Sequence, residues 1–126
     1  MCIRDRDAVV GEIADTPGVH GIALVPGLGR AFVSNGKGNN VSVVDLKTLQ
    51  TLSKVDTAGN PDWIMYEPTQ NEIYTFNGGG QSSTVIAADT GKVVATIPLG
   101  GKPETAQVDP SLGRIYDCLL YTSRCV

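Results

Sequence analysis

Three observations predict an all-β chain made of four-stranded antiparallel units. The first is a repeat: Pro26, Pro68 and Pro110 are spaced by 42 residues, and so are Ile22, Ile64 and Ala106, and Leu24, Tyr66 and Val108. The second is the content of each unit: four short runs rich in β-branched and aromatic residues, bounded by Gly, Pro, Asn or Asp. The third is that no run is long enough, or periodic enough at a helical spacing, to form a convincing helix. A four-stranded unit recurring at about 40 to 45 residues is the signature of a β-propeller blade. Helix-pair solenoids have similar periods, but the strand chemistry excludes them.

Taken in order, residues 1–7 share nothing with the repeat. Residues 8–14 read as the outer strand of a preceding blade, because Val10, Leu52 and Val94 keep the 42-residue spacing, as do Ile13, Val55 and Ile97. A first whole blade occupies 18–58 and a second 59–100. In the second, strands are expected near 62–67, 72–77, 83–88 and 92–98. Inner strands of a third blade occupy 101–116, where Ile115-Tyr116 answers Ala31-Phe32 and Ile73-Tyr74. Asn35-Gly36 and Asn77-Gly78 mark hairpin turns, as residues that tolerate positive φ. Ten positions separate Asn35 from Asp45 but twelve separate Asn77 from Asp89, which predicts an insertion in one loop compensated in the next turn.

The unit Asn-Glu-Ile-Tyr-Thr-Phe-Asn-Gly (71–78), followed by Thr-Val-Ile-Ala-Ala-Asp-Thr-Gly-Lys-Val-Val-Ala-Thr-Ile-Pro-Leu-Gly (84–100), resembles the YVTN-type, YncE-like propeller repeat. The Tyr-Val-Thr-Asn core of that family stands here as Phe-Val-Ser-Asn at 32–35 and Tyr-Thr-Phe-Asn at 74–77, and the resemblance covers roughly 8–116. It is specific for the repeat and not for function, since repeat residues mostly pack or turn the chain. After Tyr116 the register predicts Asn and Gly where Leu119 and Leu120 stand. The tail over 117–126 and the head Met-Cys-Ile-Arg-Asp-Arg look like translated sequencing-adaptor sequence, and neither is expected to carry function. Propellers close into rings that protect strand edges. An arc of two whole blades and parts of two more is therefore expected to self-associate through open blade edges, or to remain partly unfolded.

Composition narrows the function classes. With 13 acidic against 10 basic side chains, the latter scattered, the chain lacks the Lys and Arg clusters that track phosphates. Single-stranded nucleic acid binding is known in the resembled family, and the acidic balance argues against it here. No apolar run approaches the roughly 18 residues needed to span a bilayer. Cys2, Cys118 and Cys125 all lie in the terminal segments, a placement that suits neither a disulfide framework nor a zinc site.

The candidate site is a set of equivalent positions. His20, Asp62 and Glu104 stand at 42-residue spacing, where each unit enters its innermost strand near one mouth of a propeller's channel. There an imidazole and two carboxylates would form a ligand or metal contact; the plainer reading is that Asp62 and Glu104 are solvated turn residues and His20 an ordinary polar neighbour. Trp63, the single tryptophan, is either a stacking platform or a filler between blades. Gly27-Leu28-Gly29, Gly36-Lys37-Gly38 and Gly78-Gly79-Gly80 lack the strand, Gly-rich turn and helix of a phosphate loop. No Ser-His-Asp arrangement and no cofactor motif is identifiable.

These residues lead to the expectation of a non-catalytic binding or scaffold module of a bacterial propeller protein, with a protein or small molecule as ligand. A periplasmic or otherwise extracytoplasmic location is what the resemblance implies. The alternatives are a fragment of a propeller oxidoreductase subunit, similar to quinoprotein dehydrogenases or copper reductases, or of a propeller lactonase.

Overall fold

The computed structural model describes the backbone of residues 2–5, 8–119 and 124–125 and the side chains of 11–119; the expected Gly position at Leu120, and Met1, Arg6 and Asp7 of the head, lie outside the described residues. Strands β1 (Cys2–Asp5) and β2 (Ala8–Glu12) pair antiparallel. Sheet I then runs in chain order through β3 (Val19–Val25), β4 (Arg30–Asn35), β5 (Asn40–Asp45) and β6 (Thr51–Asp56). Sheet II repeats it as β7 (Pro61–Glu67), β8 (Glu72–Asn77), β9 (Ser82–Ala87) and β10 (Val93–Pro98). Sheet III holds β11 (Pro103–Asp109), β12 (Arg114–Leu119) and the short β13 (Arg124–Cys125). Strand β12 therefore runs across the 116/117 point at which the sequence pattern stops.

Every strand of sheet II starts and ends 42 residues after its counterpart in sheet I. This corrects the expected insertion and compensating deletion. The turns after β5 and β9 have the same length and the same hydrogen bonds: Asp45 N–H donates to Gln50 O, and Ala87 N–H to Lys92 O. Leu49 N–H donates to Asp45 O in one turn, and Gly91 N–H to Ala87 O in the other. Asp45 and Asp89 are not equivalent. Asp45 ends its strand and accepts from the amides of Lys47 and Thr48, whereas Asp89 sits two positions further along and accepts from Thr90. Matching by residue type misaligns a turn whose backbone is unchanged.

The hairpin reading also needs correction in its detail. Hairpins do follow Asn35 and Asn77, but the positive φ belongs to Asn39 (53°) and Gln81 (49°) at the far ends of the loops. Asn35 and Asn77 are buried and work through their side chains. The Asn35 amide donates to Asn40 Oδ1 and Ser42 Oγ, each at 2.8 Å, and the Asn77 amide to Ser82 Oγ and Thr84 Oγ1. Each asparagine thus ties the end of one strand to the start of the next. It satisfies buried hydroxyls that would otherwise be orphaned.

Burial follows the place of each strand in its sheet. β4, β5, β8 and β9 are largely buried, consistent with strands covered on both faces, while β6 and β10 at the sheet edge are mostly exposed. One apolar cluster spans sheets I and II, with Ala23, Val25, Phe32, Val41, Val43 and Val55 from the first. Ile64, Ile73, Ile86 and Ala88 come from the second. The opposite face of sheet I packs Ala31, Val33 and Val44 against Ile13. Alternate residues of β4 serve the two clusters, as the period of two demands. Successive sheets meet most closely along their first strands, β3 against β7 and β7 against β11. Ser34 fastens the first of these contacts by donating its hydroxyl to Asp62 O at 2.7 Å.

Two findings concern the termini and the membrane. Cys118 is disulfide-bonded, and the residue opposite it in the β12–β13 register is Cys125, so the expectation that no cysteine serves a disulfide is overturned. No helix among the described residues is long and apolar enough to cross a membrane.

Candidate functional site

The first strands of all three sheets share an irregularity at the candidate positions. The β3–β4 register shifts between Val19 and Gly21, the β7–β8 register between Pro61 and Ile64, and the β11–β12 register between Pro103 and Thr105. His20, Asp62 with Trp63, and Glu104 fall inside these shifts. A bulge removes a residue from the alternation of the ladder and re-aims its side chain, which is why such positions recur next to binding sites. The repeat therefore places one redirected side chain per sheet at the same level.

The three polar candidates do not converge equally. His20 Nδ1 lies 3.5 Å from Asp62 Oδ1, with the two side chains 42% and 40% exposed. Glu104 instead turns to Lys102, its Oε1 3.9 Å from Nζ. The reason lies two residues upstream: Lys102 occupies the position that Gly18 and Asn60 hold in the other units, and brings a cation within reach of the third carboxylate. Among the described residues no three His, Cys, Asp or Glu side chains gather as metal ligands.

Close backbone approach holds the His20–Asp62 pair in place. A Cβ on Gly36 would come within 2.6 Å of His20 Cδ2 and Nε2 and of Asn60 Oδ1, so the imidazole lies directly on the Gly36 backbone. The same loop is anchored by Gly36 N–H donating to Gly18 O at 2.9 Å, as Gly78 N–H does to Asn60 O. Ser34, the nearby hydroxyl, is committed to Gly21 and Asp62 backbone groups and so is not a nucleophile in waiting. Trp63 is 40% exposed and stands outside the buried cluster between sheets I and II. That leaves part of its indole open to a ligand.

A second group of functional interest was missed by sequence reasoning. Asp117, on β12, is 3% exposed and neither of its carboxylate oxygens has a hydrogen-bond partner among the described residues. Burial pushes its pKa up from 3.8 to about 6. The signal available in the sequence is the repeat register, which makes Asp117 the equivalent of Val33 and Thr75, a carboxylate where neutral residues stand. The adaptor-like character of the tail from 117 masks that signal.

Buried Glu67 contrasts with it. Burial raises its pKa, but the Thr69 hydroxyl and the amides of Gln70 and Thr69 outweigh that, and the net direction is down. Asp109, its counterpart in sheet III, is likewise lowered, chiefly by Ser111. Both carboxylates close the turn between the first two strands of their sheets.

No protein-family model and no curated protein matches the chain. Solved structures do. Hydrazine synthase of Kuenenia stuttgartiensis superimposes with a TM-score of 0.81 at 22% identity, over 90% of this chain and 33% of that one. The WD40 β-propeller domain of Doa1 superimposes with a TM-score of 0.78 at 15% identity, over 92% of this chain and 39% of that one. The chain thus spans between a third and two fifths of the structures it matches. At such identities the likeness speaks for fold alone. Four-stranded antiparallel sheets at a fixed repeat, joined along their first strands, and a propeller among the neighbours identify the chain as part of a β-propeller.

Proposed function

We propose that the chain is part of a non-catalytic binding module of the YVTN, YncE-like kind, working in the bacterial periplasm or another extracytoplasmic space. One observation carries the reading: equivalent bulges on β3 and β7 bring the half-exposed side chains of His20 and Asp62 within 3.5 Å of each other, and Trp63, next to Asp62 in the β7 bulge, is itself 40% exposed. An imidazole beside a carboxylate offers a donor and an acceptor, and an indole adds a flat apolar surface. This combination suits recognition of a polar ligand with a planar or apolar part.

Because Trp63 is the single tryptophan, its fluorescence reports on this site alone. Titration with a panel of aromatic amino acids, short peptides and oligonucleotides should produce saturable changes for at least one class, weakened about tenfold or more by His20→Ala and by Asp62→Asn. Titration curves that are the same in wild type and both variants overturn the proposal.

The unpaired edges of β6 and β10 support the expectation of self-association, since each pairs on one side only and carries exposed Leu52, Val93 and Val94. Sedimentation should show oligomers that grow with concentration. A monomer at all concentrations removes this part.

A further inference from the structure

Between sheets II and III lies a cleft of about 200 Å³, open to solvent on one side, where Ile97 is 42% exposed. Tyr74, Phe76, Ile97, Leu99 and Ile115 form its apolar wall, and Ser83 and Asp117 supply its polar atoms. Ser83 is 2% exposed and its hydroxyl, like both oxygens of Asp117, has no partner among the described residues. Among the described residues no Lys, Arg or His lines the space. Buried polar groups are nearly always paired, so two orphaned groups on the wall of one cleft point to a missing partner.

We propose that this cleft is a binding site for a small organic cation: a primary ammonium group on an aromatic or short aliphatic body. The polar atoms set the head group. A buried carboxylate with no cation among its described neighbours is stabilised most by a donor that also carries positive charge. A neutral apolar guest would leave it unpaired, an anion would be repelled, and a single carboxylate is too poor a donor set to hold a metal. The wall sets the body: an apolar cavity of about 150 Å³ accepts benzene in another protein, so this cleft suits a singly substituted ring. With a pKa of about 6, Asp117 is ionised at pH 7.5 and largely protonated at pH 5. The site is separate from the His20–Asp62 pair and does not depend on its role.

The test uses the full chain with methyl-labelled Ile and Leu, titrated by NMR with benzylamine, benzyl alcohol and toluene. At pH 7.5 benzylamine should shift the methyls of Ile97, Leu99 and Ile115 and bind about tenfold or more tightly than benzyl alcohol, an advantage lost at pH 5. Asp117→Asn should remove that advantage while benzyl alcohol binding stays within about threefold. Equal binding of the three probes means an apolar, water-filled cleft and overturns the proposal, as does an absence of shifts at these methyls. If Asp117→Asn fails to fold, the comparison of amine with alcohol at the two pH values in the unmodified chain decides alone.

Discussion

Sheet II meets sheet I and sheet III through positions that are equivalent in the repeat, yet the two contacts differ. On the sheet I side, Ile64 and Ile73 belong with Phe32, Val41 and Val55 to one buried cluster. On the sheet III side, the equivalent positions are Ala106, buried but outside that cluster, and Ile115, which lines a cleft with Tyr74, Ser83 and Ile97. Smaller or polar residues, Ala106 and Ser83, replace Ile64 and Val41. A repeat thus conserves backbone far more strictly than it conserves packing. Void space and the orphaned Ser83 and Asp117 oxygens lie where these smaller or polar residues stand.

The largest test of this contrast is Phe32→Ala against Tyr74→Ala. Removing the fully buried Phe32 should cost about 3–5 kcal/mol in urea unfolding followed by circular dichroism. Tyr74, which borders the cleft, should cost clearly less; equal losses would remove the difference between the contacts. The next effect concerns the paired asparagines. Thr75 donates to Asn77 Oδ1 at 3.1 Å, but the position equivalent to Thr75 is Val33, and Asn35 Oδ1 is left without a partner among the described residues. Thr75→Val should therefore destabilise by about 1–3 kcal/mol, leaving a buried acceptor unmet. Val33→Thr should change stability by less than about 1 kcal/mol, because the new hydrogen bond offsets a lost methyl contact. The same loss for both would show that the asparagine networks are insensitive to this donor.

Acid and base should separate the two buried carboxylates. Asp117, raised from 3.8 to about 6, contributes stability that is full below the ordinary value and lost as pH rises through about 6. Glu67, lowered from 4.5, contributes stability that is full above that value and lost as pH falls through its folded one. Stability measured between pH 3 and 8 should lose its upper slope in Asp117→Asn and its lower slope in Glu67→Gln. An unchanged profile in either variant refutes its assignment. The smallest effect is expected from the glycines under the site. Gly36→Ala should displace the His20 ring and shift its NMR resonances, while Gly78→Ala, which meets the flexible end of Lys102 at 3.2 Å, should leave its surroundings nearly unchanged.

Much of the fold was legible in the sequence. The strands expected at 62–67 and 72–77 are observed at Pro61–Glu67 and Glu72–Asn77, because alternating β-branched residues and turn residues bound them locally. The loops were less legible. Asp45 and Asp89 misled because a turn that tolerates either Leu49 or Gly91 at positive φ does not reveal its register through residue identity. Of the candidate site, the equivalence of His20, Asp62 and Glu104 was visible as spacing. That His20 and Asp62 meet depends on two strands of different sheets brought side by side, whereas the pairing of Glu104 with Lys102, two residues upstream, is local.

The sequence by itself determined the four-stranded unit, its 42-residue period and the level at which His20, Asp62 and Glu104 stand, since these come from periodicity and turn chemistry within each unit. Only the tertiary structure decided which sheet contact closes, where Asp117 is buried without a partner, and how the bulges aim the exposed side chains. These depend on atoms brought together from different repeats, and contact between repeats is set by volume and charge that no periodicity encodes.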